Sequence, residues 1–183
     1  MIDMTVPRRY AKALLTLGKE DGKYKEYGEG LRGFAYLLER EPELQDALLN
    51  PIHSREDRRK LLLHMIEILQ LSPLVGNLLQ LLFDKHRLGA VAGVSQAYQQ
   101  LVDVLENVSR ARVTSAITLD EATQGRLRST LEKLTGTTVV MDVEEDPKII
   151  GGIIARVGDL VLDGSVRTQL LSLRESLTKG EVL

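Results

Sequence analysis

Along the first part of the chain, apolar residues recur every three or four positions. Val6, Tyr10, Ala13, Leu14 and Leu17 form one stripe, and Tyr24, Tyr27, Leu31, Phe34 and Leu38 form a second. Both predict amphipathic helices with these side chains sharing one face. Leu44 and Leu48 suggest a short third helix after Pro42, ended at Asn50-Pro51 because the residue before proline is pushed away from helical angles. Ser54, with Asp57 three residues on, reads as the N-cap of a fourth helix carrying Leu61, Leu62, Met65, Ile66 and Leu69 inward. Ser72-Pro73 is a start signal for a fifth, with Leu74, Val75, Leu78, Leu79, Leu81 and Leu82 following. A sixth begins after Gly89 and runs through Val91, Val94, Ala97, Tyr98, Leu101, Val102 and Leu105.

Beyond Ser109 the period changes. Val113 to Thr118 is a β-favouring run, and Asp120 to Leu134 is helical, with Leu127, Leu131 and Leu134 on one face and Gly136 as the stop. Val139, Met141 and Val143 alternate as in a half-buried strand. After the Asp146-Pro147 loop, Ile153 to Val157, Gly158-Asp159 and Leu160 to Leu162 read as a hairpin. Gly164-Ser165 then opens a last helix with Val166, Leu170, Leu173 and Leu177 inward. The expected fold is mainly α: an N-terminal six-helix bundle over residues 1–105, followed by a small α/β C-terminal domain over residues 106–183 in the order β-α-β-β-β-α.

Composition narrows the chemistry. The 183 residues include 24 basic and 26 acidic side chains, a formal net charge of −2. The first domain has 14 of each sign and the second has 10 basic and 12 acidic, so neither presents a broad basic face for nucleic acid. With no Cys, thiol catalysis, disulfides and Cys-based zinc sites are excluded. Aromatic residues make up 4%, thin for stacking bases or sugars. Met1-Ile2-Asp3-Met4 lacks the basic-then-apolar character of a secretory signal, and Leu71 to Phe83 is too short and too interrupted to span a bilayer, so a soluble chain is expected.

A search for reactive groups finds little. His53, His64 and His86 fall on separate elements and form no i, i+4 metal pair. Gly18-Lys19 and Gly22-Lys23 lack the preceding glycine of a phosphate loop, and Gly151-Gly152 precedes a strand where a dinucleotide fingerprint would follow one. That pair reads instead as a backbone device, allowing a positive φ or a close approach. Asp142, Glu144, Glu145 and Asp146 lack calcium-loop spacing, and Arg55, Arg58, Arg59 and Lys60 read as a solvated helix face. Ser165 reads as a helix cap, and Arg167 as a partner for Asp159 or Asp163. No catalytic residue, metal site or cofactor is expected.

What remains is a surplus of apolar positions. The Leu74 to Leu82 helix is apolar nearly all round, and the first helix mixes Tyr10, Ala13, Leu14 and Leu17. Such helices are either central to the bundle or receive an amphipathic helix from another protein.

Several strings then carry a resemblance. Arg8-Arg9-Tyr10-Ala11-Lys12-Ala13-Leu14, Asn50-Pro51-Ile52, His86-Arg87-Leu88 and, above all, Gly151-Gly152-Ile153-Ile154-Ala155-Arg156-Val157-Gly158-Asp159 continuing to Asp163-Gly164-Ser165-Val166-Arg167 resemble the ATP synthase delta subunit family, which includes the oligomycin-sensitivity-conferring protein. The resemblance implies a noncatalytic stator role in the peripheral stalk of the rotary proton-translocating synthase. It implies that the N-terminal bundle receives N-terminal helices of the alpha subunits between its first and fifth helices, and that the C-terminal domain engages b-type stalk subunits. Tyr10, Ala13, Leu14, Leu17, Leu74, Leu78, Leu79 and Leu82 are then the expected groove residues. Gly151, Gly152, Gly158, Asp159, Asp163, Gly164, Ser165 and Arg167 form the expected structural motif of the C-terminal domain. The expected location is the cytoplasmic face of a bacterial inner membrane, as a peripheral protein without nucleic-acid or small-molecule ligands. A cytosolic helical adaptor unrelated to energy conversion is the alternative, and an enzyme comes third.

Overall fold

Helical periodicity becomes six consecutive α-helices in the first part of a computed structural model that describes residues 5–178. Met1 to Met4, where no signal-like character was found, and residues 179–183 lie outside the described residues. The helices are α1 (Thr5–Glu20), α2 (Tyr24–Arg40), α3 (Pro42–Leu49), α4 (Arg55–Ile68), α5 (Pro73–Asp84) and α6 (Val91–Leu105), with a 3-10 turn at Leu88–Ala90 leading into α6. Beyond them come β1 (Val108–Ser115), α7 (Glu121–Thr135), β2 (Thr138–Glu145), β3 (Ile153–Val157), β4 (Leu160–Asp163) and α8 (Val166–Thr178). The chain divides into two compact units, with the boundary between Leu105 and Glu106.

The first unit is held by one apolar core drawn from α1 to α6, including Leu31, Phe34, Leu62, Val75, Leu79, Leu82 and Val94, each fully buried. α5 sits against α1, α2 and α4 and buries Val75, Gly76, Leu78, Leu79, Leu82 and Phe83, which explains its apolar character on more than one side. Several polar groups find partners, whereas the Ser72 hydroxyl at the N-cap of α5 is buried with none among the described residues. The Tyr98 hydroxyl donates to the Tyr24 carbonyl at 2.8 Å, and burial raises its pKa. Tyr27 donates to the Asp21 carboxylate, which pushes the phenol up to about 12 and holds the Asp21 carboxyl below its usual value. Ser54 caps α4 through the Asp57 amide at 3.1 Å.

On two helices the buried face takes only part of the apolar stripe. On α1 the buried set is Pro7, Ala11, Leu14, Leu15 and Gly18; Ala13 is exposed and Leu17 is 43% exposed. The reason is close helix approach. A Cβ at Gly18 would lie 3.0 Å from both Tyr24 Cα and the Tyr27 ring, so a glycine takes the inward position that hydrophobicity assigns to Leu17. On α5, Leu81 is 44% exposed although its neighbours Leu78 and Leu82 in the apolar run are buried.

The second unit carries a four-stranded sheet in the order β2-β1-β3-β4. β1 and β2 are parallel, joined through α7, whereas β1–β3 and β3–β4 are antiparallel. One sheet face is core: Ala111, Val113, Val139, Ala155 and Val157 pack with Leu131 of α7, and Leu127 lies at the edge of the cluster. Asp120 caps α7 through the Thr123 amide, and Gly136 ends it in the left-handed conformation. Leu134, expected on the inward face of this helix, is 60% exposed because the short sheet is already covered by Leu127 and Leu131. The larger departure is α8. Its Leu170, Leu173 and Leu177, expected inward, are 52%, 57% and 70% exposed. None of its described side chains enters the core, because α7 already fills the apolar sheet face.

Candidate partner-docking surfaces

The expected groove residues divide sharply by burial. Leu14, Leu78, Leu79 and Leu82 are core side chains of the first unit, between 0% and 9% exposed. Tyr10 and Leu74 are half-buried at its margin, and Ala13 and Leu17 face solvent. Helical spacing puts Tyr10, Ala13 and Leu17 on one stripe of α1, and Leu74, Leu78 and Leu81 on one stripe of α5. The two helices are in contact, and the Arg87 guanidinium just beyond α5 donates to the Tyr10 hydroxyl at 3.2 Å. On these two helices Leu14, Leu78, Leu79 and Leu82 are buried, while Tyr10 and Leu74 are half-buried and Ala13, Leu17 and Leu81 are exposed. Leu81 was missing from the expected groove set, although its seven-residue step from Leu74 is a readable signal.

In the second unit, the glycine motif is a backbone junction. Gly152 has φ +80°, and a Cβ there would lie 2.2 Å from the Gly164 carbonyl oxygen. The Val166 amide donates to the Gly151 carbonyl and the Gly164 amide to the Ile153 carbonyl, each at 2.9 Å. A Cβ at Gly151 would meet Val166 Cγ2 at 3.0 Å, a tight contact with a side chain that would have to give, so Gly152 is the glycine that the approach of β3 to the start of α8 requires. Ser165 is buried, and its Oγ accepts from the Thr168 amide at 3.2 Å, which makes it the cap of α8. The Asp163 carboxylate accepts from the Ser165 amide at 2.9 Å and the Thr168 hydroxyl at 2.8 Å. Those hydrogen bonds, the Ser165 amide foremost, hold its carboxyl below the usual value. Gly158, at φ +56°, and Asp159 form the exposed β3–β4 turn. Among the described residues Arg167 forms no ion pair with Asp159 or Asp163, correcting that expectation; Asp163 is occupied by the cap.

This junction projects α8 with its leucines uncovered. Leu170, Leu171, Leu173 and Leu177 are all 48% exposed or more, and Leu160, Val161 and Leu162 of β4 are 38% exposed or more. The cationic set on α4 is otherwise engaged. Arg55 pairs with Asp84 at 2.9 Å, Lys60 with Glu56 at 2.8 Å, and Arg58 donates to the Leu48 carbonyl while lying over Phe83. Chemically, both units offer shape and apolar area.

Known proteins give the same outline. The family model described as ATP synthase delta (OSCP) subunit matches residues 6–177. The chain is 45% identical over 181 residues to the ATP synthase subunit delta of Desulfosudis oleivorans, covering 99% of each chain. It is 44% identical over 183 residues to that of Desulfatibacillum aliphaticivorans, covering all of both. Among solved structures, a chain of the Toxoplasma gondii mitochondrial ATP synthase hexamer matches in fold with a TM-score of 0.72 at 23% identity, covering 95% of this chain and 98% of that one.

Proposed function

The chain belongs to the ATP synthase delta (OSCP) subunit family, and from that premise we propose that it clamps the synthase at two ends, one partner to each unit. Its role is structural: it is a noncatalytic peripheral-stalk subunit of a membrane-associated ATP synthase, serving ATP synthesis without itself performing the reaction. Among the described residues no helix is long and apolar enough to cross a membrane, so attachment is through other subunits in this reading. We place it on the cytoplasmic face of a bacterial inner membrane. The alternative of an adaptor unconnected with energy conversion has no comparable support.

In the proposal, α1 to α6 act as a six-helix bundle whose α1–α5 surface receives N-terminal helices of the alpha subunits. The C-terminal unit, with the exposed leucines of α8, engages b-type stalk subunits. The observation that carries the reading is that each unit leaves apolar side chains uncovered at helical spacing: Ala13, Leu17 and Leu81 on one, Leu170, Leu173 and Leu177 on the other. A stator must resist torque, and a nanomolar contact corresponds to about 12 kcal/mol. Fully covering a leucine is worth roughly 1.5–3 kcal/mol before ordering costs, so several such side chains must act together. An apolar grip of this kind is also less sensitive to charge screening by salt than an ionic interface.

The test is calorimetric titration of the full chain with a peptide of the alpha-subunit N-terminus. Leu17→Glu should weaken binding by at least about tenfold, about 1.4 kcal/mol. Because Leu17 is 43% exposed, the thermal stability of the variant should stay near that of the parent. Unaltered affinity in Leu17→Glu would remove the α1–α5 surface from consideration.

A further inference from the structure

The sheet of the C-terminal unit has a second face, away from α7, and it is not apolar. Alternation along the strands puts Arg110 and Arg112 of β1, Val140, Asp142 and Glu144 of β2 and Arg156 of β3 on that side, with Glu144 beyond the arginines toward the end of β2. The register seats Arg112 between Asp142 on one neighbouring strand and Arg156 on the other. The Arg112–Asp142 pairing favours the sheet, whereas Arg112 directly opposite Arg156 across the antiparallel pair is a like-charge contact that works against it, so Arg156 is not placed there for the fold. All three arginines are exposed, and together with Val140, Asp142 and Gly158 they line an open cleft of about 390 Å3. Among the described residues neither Arg112 nor Arg156 has an ion-pair partner, and Asp142 is the one carboxylate lining the cleft.

We infer that this sheet face is a docking surface for an acidic peptide segment, a stretch of a partner protein presenting two or more carboxylates to Arg110, Arg112 and Arg156. The spacing favours a peptide over a single phosphate. Arg110 and Arg112 are two residues apart on one strand, roughly 7 Å, which matches alternate side chains of an extended chain. It is also close to the step between i and i+4 on a helix. Val140, 45% exposed among the arginines, suits the methylene stems of glutamates. Arg–carboxylate pairs here are charge-assisted and solvent-exposed, so this contact, unlike the two leucine surfaces, is salt-sensitive. The inference goes beyond the stator reading and involves neither the α1–α5 surface nor α8, so either can fail without the other.

The experiment uses the full chain and three probes: a synthetic peptide of alternating Glu and Ala, its Gln-for-Glu copy, and inorganic pyrophosphate. Amide chemical shifts and affinities are recorded at low and at high salt. The Glu peptide should shift the amides of residues 110–112, 140–142 and 156, and should lose about tenfold in affinity across the salt range. The double variant Arg112→Gln/Arg156→Gln should weaken binding by about fivefold or more, while Arg112→Lys/Arg156→Lys stays within about threefold of the parent. The Gln variant should melt close to the parent, because the like-charge Arg112–Arg156 contact and the exposed Arg112–Asp142 pairing are lost together. Equal binding of the Gln-for-Glu copy, unchanged affinity in the Gln variant, no shifts at these amides, or pyrophosphate occupying them at lower concentration than the peptide would each overturn the inference.

Discussion

A Cβ at position 152 would sit 2.2 Å from the Gly164 carbonyl oxygen, and the backbone there already lies at φ +80°. Gly152→Val must therefore push β3 away from the start of α8 as well as force a β-branched residue into the left-handed region. We expect a loss of about 3 kcal/mol or more in the C-terminal unit, measured by denaturant unfolding, with weakened b-subunit attachment. A variant as stable as the parent would show that the junction yields. Asp163, next to the same junction, governs the acid limb. Its carboxyl is held below the ordinary value near 4 by the Ser165 amide and the Thr168 hydroxyl. A group whose folded pKa is depressed contributes stability that is full above the unfolded value and is lost as pH falls through the folded one. The C-terminal unit should thus weaken below about pH 4, and Asp163→Asn should flatten that part of the profile; an unchanged acid limb would assign it elsewhere. Asp120, lowered through Thr123, contributes in the same direction and remains in the variant.

α7 and α8 have similar apolar content and opposite fates. α7 buries Leu131 completely against the sheet, whereas Leu170, Leu171, Leu173 and Leu177 of α8 each keep about half or more of their surface exposed. Truncating the two therefore has opposite signatures. Leu131→Ala should cost about 2–5 kcal/mol of folding stability through lost transfer energy and a cavity. Leu173→Ser, at a position 57% exposed, should change stability by no more than about 0.5 kcal/mol while reducing binding to a b-type subunit by at least about tenfold. If Leu173→Ser unfolds the unit and leaves binding intact, α8 is part of its core. α1 makes the same point in miniature: its small residues Ala11 and Gly18 go inside, which leaves Ala13 and Leu17 for another surface.

At the level of the whole molecule, the apolar residues gather into two cores that share no member, one over α1 to α6 and one between the sheet and α7. Two cores predict two unfolding transitions in calorimetry. Leu79→Ala should lower one and Leu131→Ala the other, each by the few degrees that a deficit of a few kcal/mol produces. A single transition that both variants shift equally would make the chain one cooperative unit. Separate cores suit a connector in the peripheral stalk, since the partner at one end need not disturb the fold that grips the partner at the other.

The amino-acid sequence by itself determined the elements and their order, because period, caps and breakers act within a few residues. Ser54, Asp120 and Gly136 each stand at the helix end their chemistry specifies, and Gly152 carries the positive φ its place in the chain implies. The family, too, was legible in the strings around Tyr10 and Gly151. Only the tertiary structure decided which apolar stripe each helix buries. Leu17, Leu81, Leu134, Leu170, Leu173 and Leu177 all carry helical spacing and all remain exposed. Periodicity says that residues share a face; whether that face is covered depends on how closely a neighbouring element can approach. That approach is set by small residues such as Ala11 and Gly18 on one helix, and by the lack of any further apolar sheet surface for another.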